Sequence, residues 1–149
     1  MKYAVLIDDK KFEIREGGIP RVNGSPIIKV SYVGICGTDM SYWMDGSKHK
    51  ELIIGHEYSG IIEDPGTSGL FKKGDRVAGY TQNVHNENCG HCEFCLSGEY
   101  EKCNNRKVYT WKGGDYTHPG AYSQYTTWFP QSIFKLPDGI SLELSLIHI

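Results

Sequence analysis

Apolar positions along the chain come in short runs and alternations, the pattern of strands joined by tight turns. Lys2 to Ile7 reads as a strand, and Phe12 to Arg15 as its hairpin partner. Ile27 to Val33 is a stronger strand that runs directly into Gly34-Ile35-Cys36-Gly37-Thr38-Asp39. Thr38 or Asp39 is placed to cap a short helix through Trp43. Tyr58 to Glu63 is a further strand, closed by the turn residues Asp64-Pro65-Gly66. Gly74-Asp75-Arg76-Val77 opens another through Tyr80. Ala121 to Trp128 alternates again, and Ile133 to Leu136 is a last short strand before the turn Pro137-Asp138-Gly139. Ser141 reads as an N-cap for which no helix develops. Between Thr81 and Gly120 there is little periodicity, and a loop of that length needs an anchor of its own.

Composition narrows the class. Hydrophobic residues make up 39% and charged residues 23%, as in a soluble globular domain able to bury a core. Abundant glycine with Tyr, Val, Ile and Thr favours strands and turns. The net charge of −2 comes without a basic patch, so neither nucleic acid nor an anionic membrane is expected as a partner. No apolar run reaches the length of a membrane-spanning helix. The apolar run at the start is too short for a signal peptide and has Asp8 and Asp9 right behind it. A cytoplasmic location is expected.

The aperiodic stretch carries its own anchor. Cys89, Cys92, Cys95 and Cys103 hold four of the five cysteines. Four thiolates at such spacings close a tetrahedral coordination sphere, which leaves no position for substrate. The cluster therefore reads as a structural zinc site. Two alternatives stand beside it: an iron–sulfur cluster, whose common run has a shorter last spacing and a proline where Asn104 stands, and a pair of disulfides, which needs an oxidising compartment. His91 lies inside the cluster as an exposed turn residue. The fifth cysteine, Cys36, is then a different matter. A catalytic zinc needs about three protein ligands and one open position. Cys36 offers a thiolate at a strand end and His56 an imidazole, with Gly34 and Gly55 allowing close backbone approach.

Five motifs occur in order: Gly34-Ile35-Cys36-Gly37-Thr38-Asp39, Gly55-His56-Glu57, Gly74-Asp75-Arg76-Val77, the four-cysteine lobe and Leu136-Pro137-Asp138-Gly139. Together the chain resembles the N-terminal half of the zinc-dependent medium-chain alcohol/polyol dehydrogenases. The resemblance implies a mainly β domain with short helices, a GroES-like partly open β-barrel over residues 1–143, with a zinc-stapled lobe at about residues 81–120. It implies two Zn(2+) sites. Cys89, Cys92, Cys95 and Cys103 form the structural one. Cys36 and His56 ligate the catalytic zinc, with Glu57 as a third or swing-in ligand. Asp39 would orient His56, and Thr38 would carry the hydroxyl that takes the alcohol proton. Zinc acts there as a Lewis acid that lowers the alcohol's pKa before hydride leaves for NAD or NADP. A small alcohol or polyol is the implied substrate, and a homo-oligomer the implied state of the full-length enzyme. Tyr42 and Trp43 match the polyol-like branch, whereas Ser41 stands where that branch usually has a histidine. His49, His85, His118 and His148 read as surface residues, and Trp111 and Tyr116 as loop packing or a pocket wall.

The family also has a Rossmann domain for the nicotinamide, built on a strand, a G-x-G-x-x-G turn and a helix. No such pattern occurs here, so the chain is expected to carry zinc sites and part of the substrate wall, and to be inactive alone. Residues 144–149 do not resemble the family's hinge and match a translated sequencing adapter; they are expected to be a non-native tail. A zinc-stabilised binding module without catalysis is the competing reading, distinguished by having no use for Cys36, His56 and Glu57 together.

Overall fold

Strand β1 (Lys2–Asp8) buries Tyr3, Val5 and Leu6, and folds back as an antiparallel hairpin on β2 (Lys11–Glu16). The hairpin turn uses the left-handed Lys10, whose N–H donates to Trp43 O at 2.7 Å. This structure is a computed structural model that describes residues 1–22, 24–79, 86–108 and 120–147.

Strand β3 (Ile27–Val33) starts between two neighbours in the core and ends exposed. Its burial falls from Ile27 and Ile28 to Tyr32 and Val33, so the chain leaves the core as it enters the Cys36 loop. Helix α1 (Gly37–Met44) follows at once. Next come β4 (Tyr58–Asp64) and β5 (Arg76–Gly79), then the two-residue strands β6 (Asn86–Glu87) and β7 (Lys107–Val108), which pair across the short helix α2 (Glu93–Leu96). β8 (Tyr125–Thr127) and β9 (Ile133–Lys135) complete a sheet of order β8-β3-β4-β5-β9, antiparallel at every pairing. Helix α3 (Leu142–Ile147) closes the described chain. The architecture is the expected mainly β one with short helices, and its sheets are not closed into a full barrel. Among the described residues no helix is long and apolar enough to cross a membrane.

Three local expectations are corrected. The cap of α1 is Cys36, in extended backbone, and Asp39 is the third helical residue, whose carboxylate reaches back to the Cys36 N–H. The exchange follows from capping-box geometry, in which an acidic side chain one turn in satisfies the cap's own N–H. Helix α3 does develop: the Leu144 N–H donates to Ser141 Oγ at 3.0 Å, and Ser59 Oγ donates to Leu142 O at 2.6 Å. Contacts to β3, β4 and β5 stabilise a segment too short to be helical alone. His49 is half-buried, with its ring 4.5 Å from that of Tyr42. Tyr80, His85, Trp111, Tyr116, His118 and His148 lie outside the described residues.

The main core joins Ile28, Tyr58, Ile62, Val77, Trp128 and Ile133. Tyr58 is fully buried and its hydroxyl has no hydrogen-bond partner among the described residues. A buried hydroxyl without a partner costs the energy of losing water. Tyr58→Phe is therefore expected to raise the unfolding free energy by about 1 kcal/mol. A denaturant titration checks this, and a loss of stability would mean the hydroxyl is satisfied in solution.

Candidate metal centres and active site

Three backbone segments meet where the candidate active site forms. The Ile53–Gly55 segment is bound by Gly120, Ala121 and Tyr122, through Gly120 N–H to Ile53 O, Ala121 N–H to Gly55 O and Tyr122 N–H to Ile54 O at 2.8–3.0 Å. Ala4 N–H donates in turn to Tyr122 O at 2.7 Å, tying this segment to β1. Gly34 N–H donates to Glu57 O at 2.7 Å, which fixes the end of β3 beside His56. Two glycines are needed for that approach. A Cβ on Gly34 would stand 2.7 Å from Glu57 Oε2, and Gly55 has φ +96 with the Tyr122 ring 2.5 Å from where its Cβ would be.

The result brings Cys36 and Asp39, at the start of α1, together with His56 from the segment before β4, with one ligating atom of each within 4.8 Å of the others. Cys36 Sγ is 3.1 Å from His56 Nε2. Asp39 is 2% exposed. Its Oδ2 accepts the Cys36 N–H at 3.0 Å, and its Oδ1 lies 3.8 Å from His56 Nδ1. The donor set, a soft thiolate with an imidazole backed by a carboxylate, fits zinc. Glu57 does not join this group: its carboxylate lies against Gly34. Thr38 is exposed in the first turn of α1, next to Asp39.

Beside Asp39 is a cavity of about 260 Å³, walled by Phe12, Ile35, Met40, Trp43, Ile54 and Tyr122. Sequence reading named neither Phe12 nor Tyr122 for the site. Tyr122 falls in an alternating stretch that reads only as strand, and nothing local marks its contact with Gly55. Burial, then the charges of Asp39, Cys36 and Glu57, push the Tyr122 phenol up.

The second cluster lies in the lobe. Gly90 turns the chain with φ +78, and α2 then puts Cys92 as its cap and Cys95 one turn on, on the same side. Cys89, Cys92, Cys95 and Cys103 have their sulfurs within 4.8 Å of one another. The Cys89–Cys95 and Cys89–Cys103 separations are 3.9 and 3.7 Å. A tetrahedron with Zn–S of about 2.3 Å has sulfur–sulfur edges of about 3.8 Å, so the four thiols fit that ion. All are free rather than disulfide-bonded. The His91 backbone N–H pulls the Cys89 thiol down to about 6, while burial pushes Cys95 up to about 12. One thiolate is favoured and the next resisted, a balance that a divalent cation reverses. His91 is exposed, and its Nδ1 faces Cys89 O at 2.8 Å, away from a ligating role.

Residues 23–138 match the family described as the alcohol dehydrogenase GroES-like domain. The chain is 35% identical to a sorbitol dehydrogenase of Bacillus subtilis (strain 168) over 153 aligned positions, which cover 96% of this chain and 40% of that protein. It is 32% identical to an alcohol dehydrogenase of Geobacillus stearothermophilus, covering 96% and 42%. The solved structure of galactitol-1-phosphate dehydrogenase from Escherichia coli superposes with a TM-score of 0.74 at 25% identity, covering 99% of this chain and 41% of that one. The chain thus spans about two-fifths of the length of these relatives.

Proposed function

The chain belongs to the medium-chain alcohol dehydrogenase family through its GroES-like domain, and from that premise we propose that it is the metal-carrying catalytic part of a zinc- and NAD(P)-dependent dehydrogenase of small alcohols or polyols. The observation that carries the reading is the 3.1 Å approach of Cys36 Sγ to His56 Nε2 with buried Asp39 behind them. A binding module stabilised by the four-cysteine lobe alone would have no use for that second constellation. The names of the relatives, a sorbitol, a galactitol-1-phosphate and an alcohol dehydrogenase, support a small alcohol or polyol as the substrate.

Cys36 and His56 would hold the catalytic ion, with Glu57 reaching it by leaving Gly34. Zinc bound there supplies Lewis acidity, which lowers the pKa of a substrate hydroxyl. Asp39 fixes the Cys36 backbone and faces His56 Nδ1, so the Nδ1–H tautomer is favoured and the Nε2 lone pair is left free. Thr38, exposed beside Asp39, offers the hydroxyl that receives the substrate proton. The apolar wall of Phe12, Met40 and Trp43 excludes water from one side of the site. Residues 1–149 contain no strand–G-x-G-x-x-G–helix unit, so the nicotinamide would be held from outside them. The four lobe cysteines would hold a zinc with no catalytic part.

Cobalt substitution tests the reading. The chain is expected to take up two cobalt ions, one in an all-sulfur and one in a mixed sulfur–nitrogen environment. His56→Ala is expected to remove the mixed spectrum and spare the other. An all-thiolate spectrum alone at saturating cobalt would contradict the second site.

A further inference from the structure

Apart from Asp39, every described side chain around the cavity of about 260 Å³ is aliphatic, thioether or aromatic. We propose that this cavity receives the non-reacting part of the substrate alcohol, that this part is a hydrocarbon group rather than a row of hydroxyls, and that Phe12 is the residue that sets the preference. The proposal deepens the dehydrogenase reading and rests on Cys36 and His56 as ligands of the catalytic ion.

The place of the cavity follows from the chain. Ile35 directly precedes Cys36, Ile54 stands two residues before His56, and Asp39 belongs both to the wall and to the Cys36–His56 group. A hydroxyl held at those ligands has this wall as the neighbour of the rest of its molecule. The wall gives further hydroxyls little to bond. Asp39 Oδ2 already accepts the Cys36 N–H, and Asp39 Oδ1 and the Tyr122 hydroxyl are buried atoms that water does not reach. Trp43 offers a single N–H, and Met40 a weak thioether acceptor. Hydroxyls carried from water onto such a surface lose hydrogen bonds without replacing them, whereas a hydrocarbon group gains by leaving water. The volume sets the size. It lies below the roughly 300–1,000 Å³ of pockets for drug-sized ligands, so it suits one ring or a short branched chain.

Phe12 differs from the rest of the wall in its origin. Ile35, Met40, Trp43 and Ile54 come with the segments that carry the ligands, whereas Phe12 comes from β2, outside the five-stranded sheet. The hairpin is tied to α1 and the turn after it, through Lys10 N–H to Trp43 O and Ser47 N–H to Asp9 Oδ1, both at 2.7 Å. Pairing of Leu6 with Phe12 fixes the register, and the Phe12 ring stands edge-on to Tyr122 at 6.0 Å. Phe12 belongs to neither group of metal-ligating side chains. A change there alters the apolar surface of the cavity and leaves both sets of ligands in place.

The test titrates the zinc-loaded 149-residue chain with cyclohexanol and with sorbitol, following the NMR signals of the Met40 and Ile54 methyl groups. Cyclohexanol is expected to shift both, and sorbitol to bind about a hundredfold more weakly, the most that an apolar pocket achieves against added hydroxyls. Phe12→Ala should weaken cyclohexanol about tenfold, narrow the preference and keep the parental zinc content. Phe12→Leu reads the same effect, in smaller measure, where the alanine variant does not fold. Sorbitol binding as tightly as cyclohexanol in the parent chain would overturn the proposal and leave the metal reading standing. So would cyclohexanol shifts confined to methyl groups outside the cavity. A Phe12 variant with the parental preference would overturn the part given to Phe12. A parent chain that takes up no metal at Cys36 and His56 would remove the metal reading first, and the proposal with it.

Discussion

With the lobe cysteines as the proposed zinc site, Cys95→Ser is expected to abolish zinc uptake there and unfold residues 88–104 while the five-stranded sheet stays intact. Serine is a poor zinc ligand, and Cys95, 6% exposed, is one of four sulfurs that lie within 4.8 Å of one another. Among its described residues the lobe has little else to hold it: β6 and β7 are two residues each, α2 is a single turn, and none of those residues belongs to either apolar cluster. Apparent binding free energies of structural zinc sites are about 10–16 kcal/mol, far above what such short elements supply alone. Hydrogen exchange should show lost protection at the Leu96 and Ser97 amides, which donate to Cys92 O and Glu93 O. Amides of β3 and β4 should keep theirs. Zinc content should fall by one ion per chain. A variant with parental zinc content and parental exchange would show that the lobe does not depend on the ion.

The lobe was legible in the sequence because ligand spacing is a local property. Cys92 and Cys95 fall on one helical turn whatever surrounds them. The Cys36 site was legible for a different reason. Its ligands are distant in the chain, and only the order of motifs, Gly34 to Asp39 and then Gly55 to Glu57, pointed to them. The motifs and the resemblance they carry pointed to the residues but not to their postures. It did not reveal that Cys36 itself caps α1, that Asp39 reaches back to the Cys36 N–H, or that Glu57 lies over Gly34. Tyr122 was not legible at all. Its place depends on pairing between the Ile53–Gly55 segment and Gly120–Tyr122, a contact across the chain that no local pattern encodes.

The strands show the same division. Ile27 to Val33 matched residue for residue, since Pro26 and Gly34 bracket the apolar run. The alternation from Ala121 to Trp128 reduced to a strand over Tyr125–Thr127. Ser123 pairs with Tyr3 instead, so the segment is shared between the hairpin and the main sheet. Helix α3 escaped because its stability lies in its dock on β3, β4 and β5 rather than in its own short sequence.

Trp128→Ala is expected to cost about 3–5 kcal/mol of unfolding free energy, the usual range for truncating a buried tryptophan. Trp128 is 4% exposed and stands edge-on to the fully buried Tyr58, with ring centroids 4.6 Å apart at 74°. Its indole N–H donates to Thr126 Oγ1 at 3.0 Å, so the ring is fixed at both its apolar face and its polar tip. Alanine leaves a void beside the Tyr58 ring, and the cost follows from how little the surrounding core collapses into it. The loss reaches the candidate site through β3. Thr126 and Thr127 pair with Ile28 and Ile27, and the same strand delivers Gly34 and Cys36. Trp128→Phe keeps an aromatic edge against Tyr58 and should recover more than half of the loss. Urea unfolding at constant slope would give both differences directly. A cost below about 1 kcal/mol for the alanine variant would mean the surrounding side chains collapse into the void, and that this corner of the core is not close-packed.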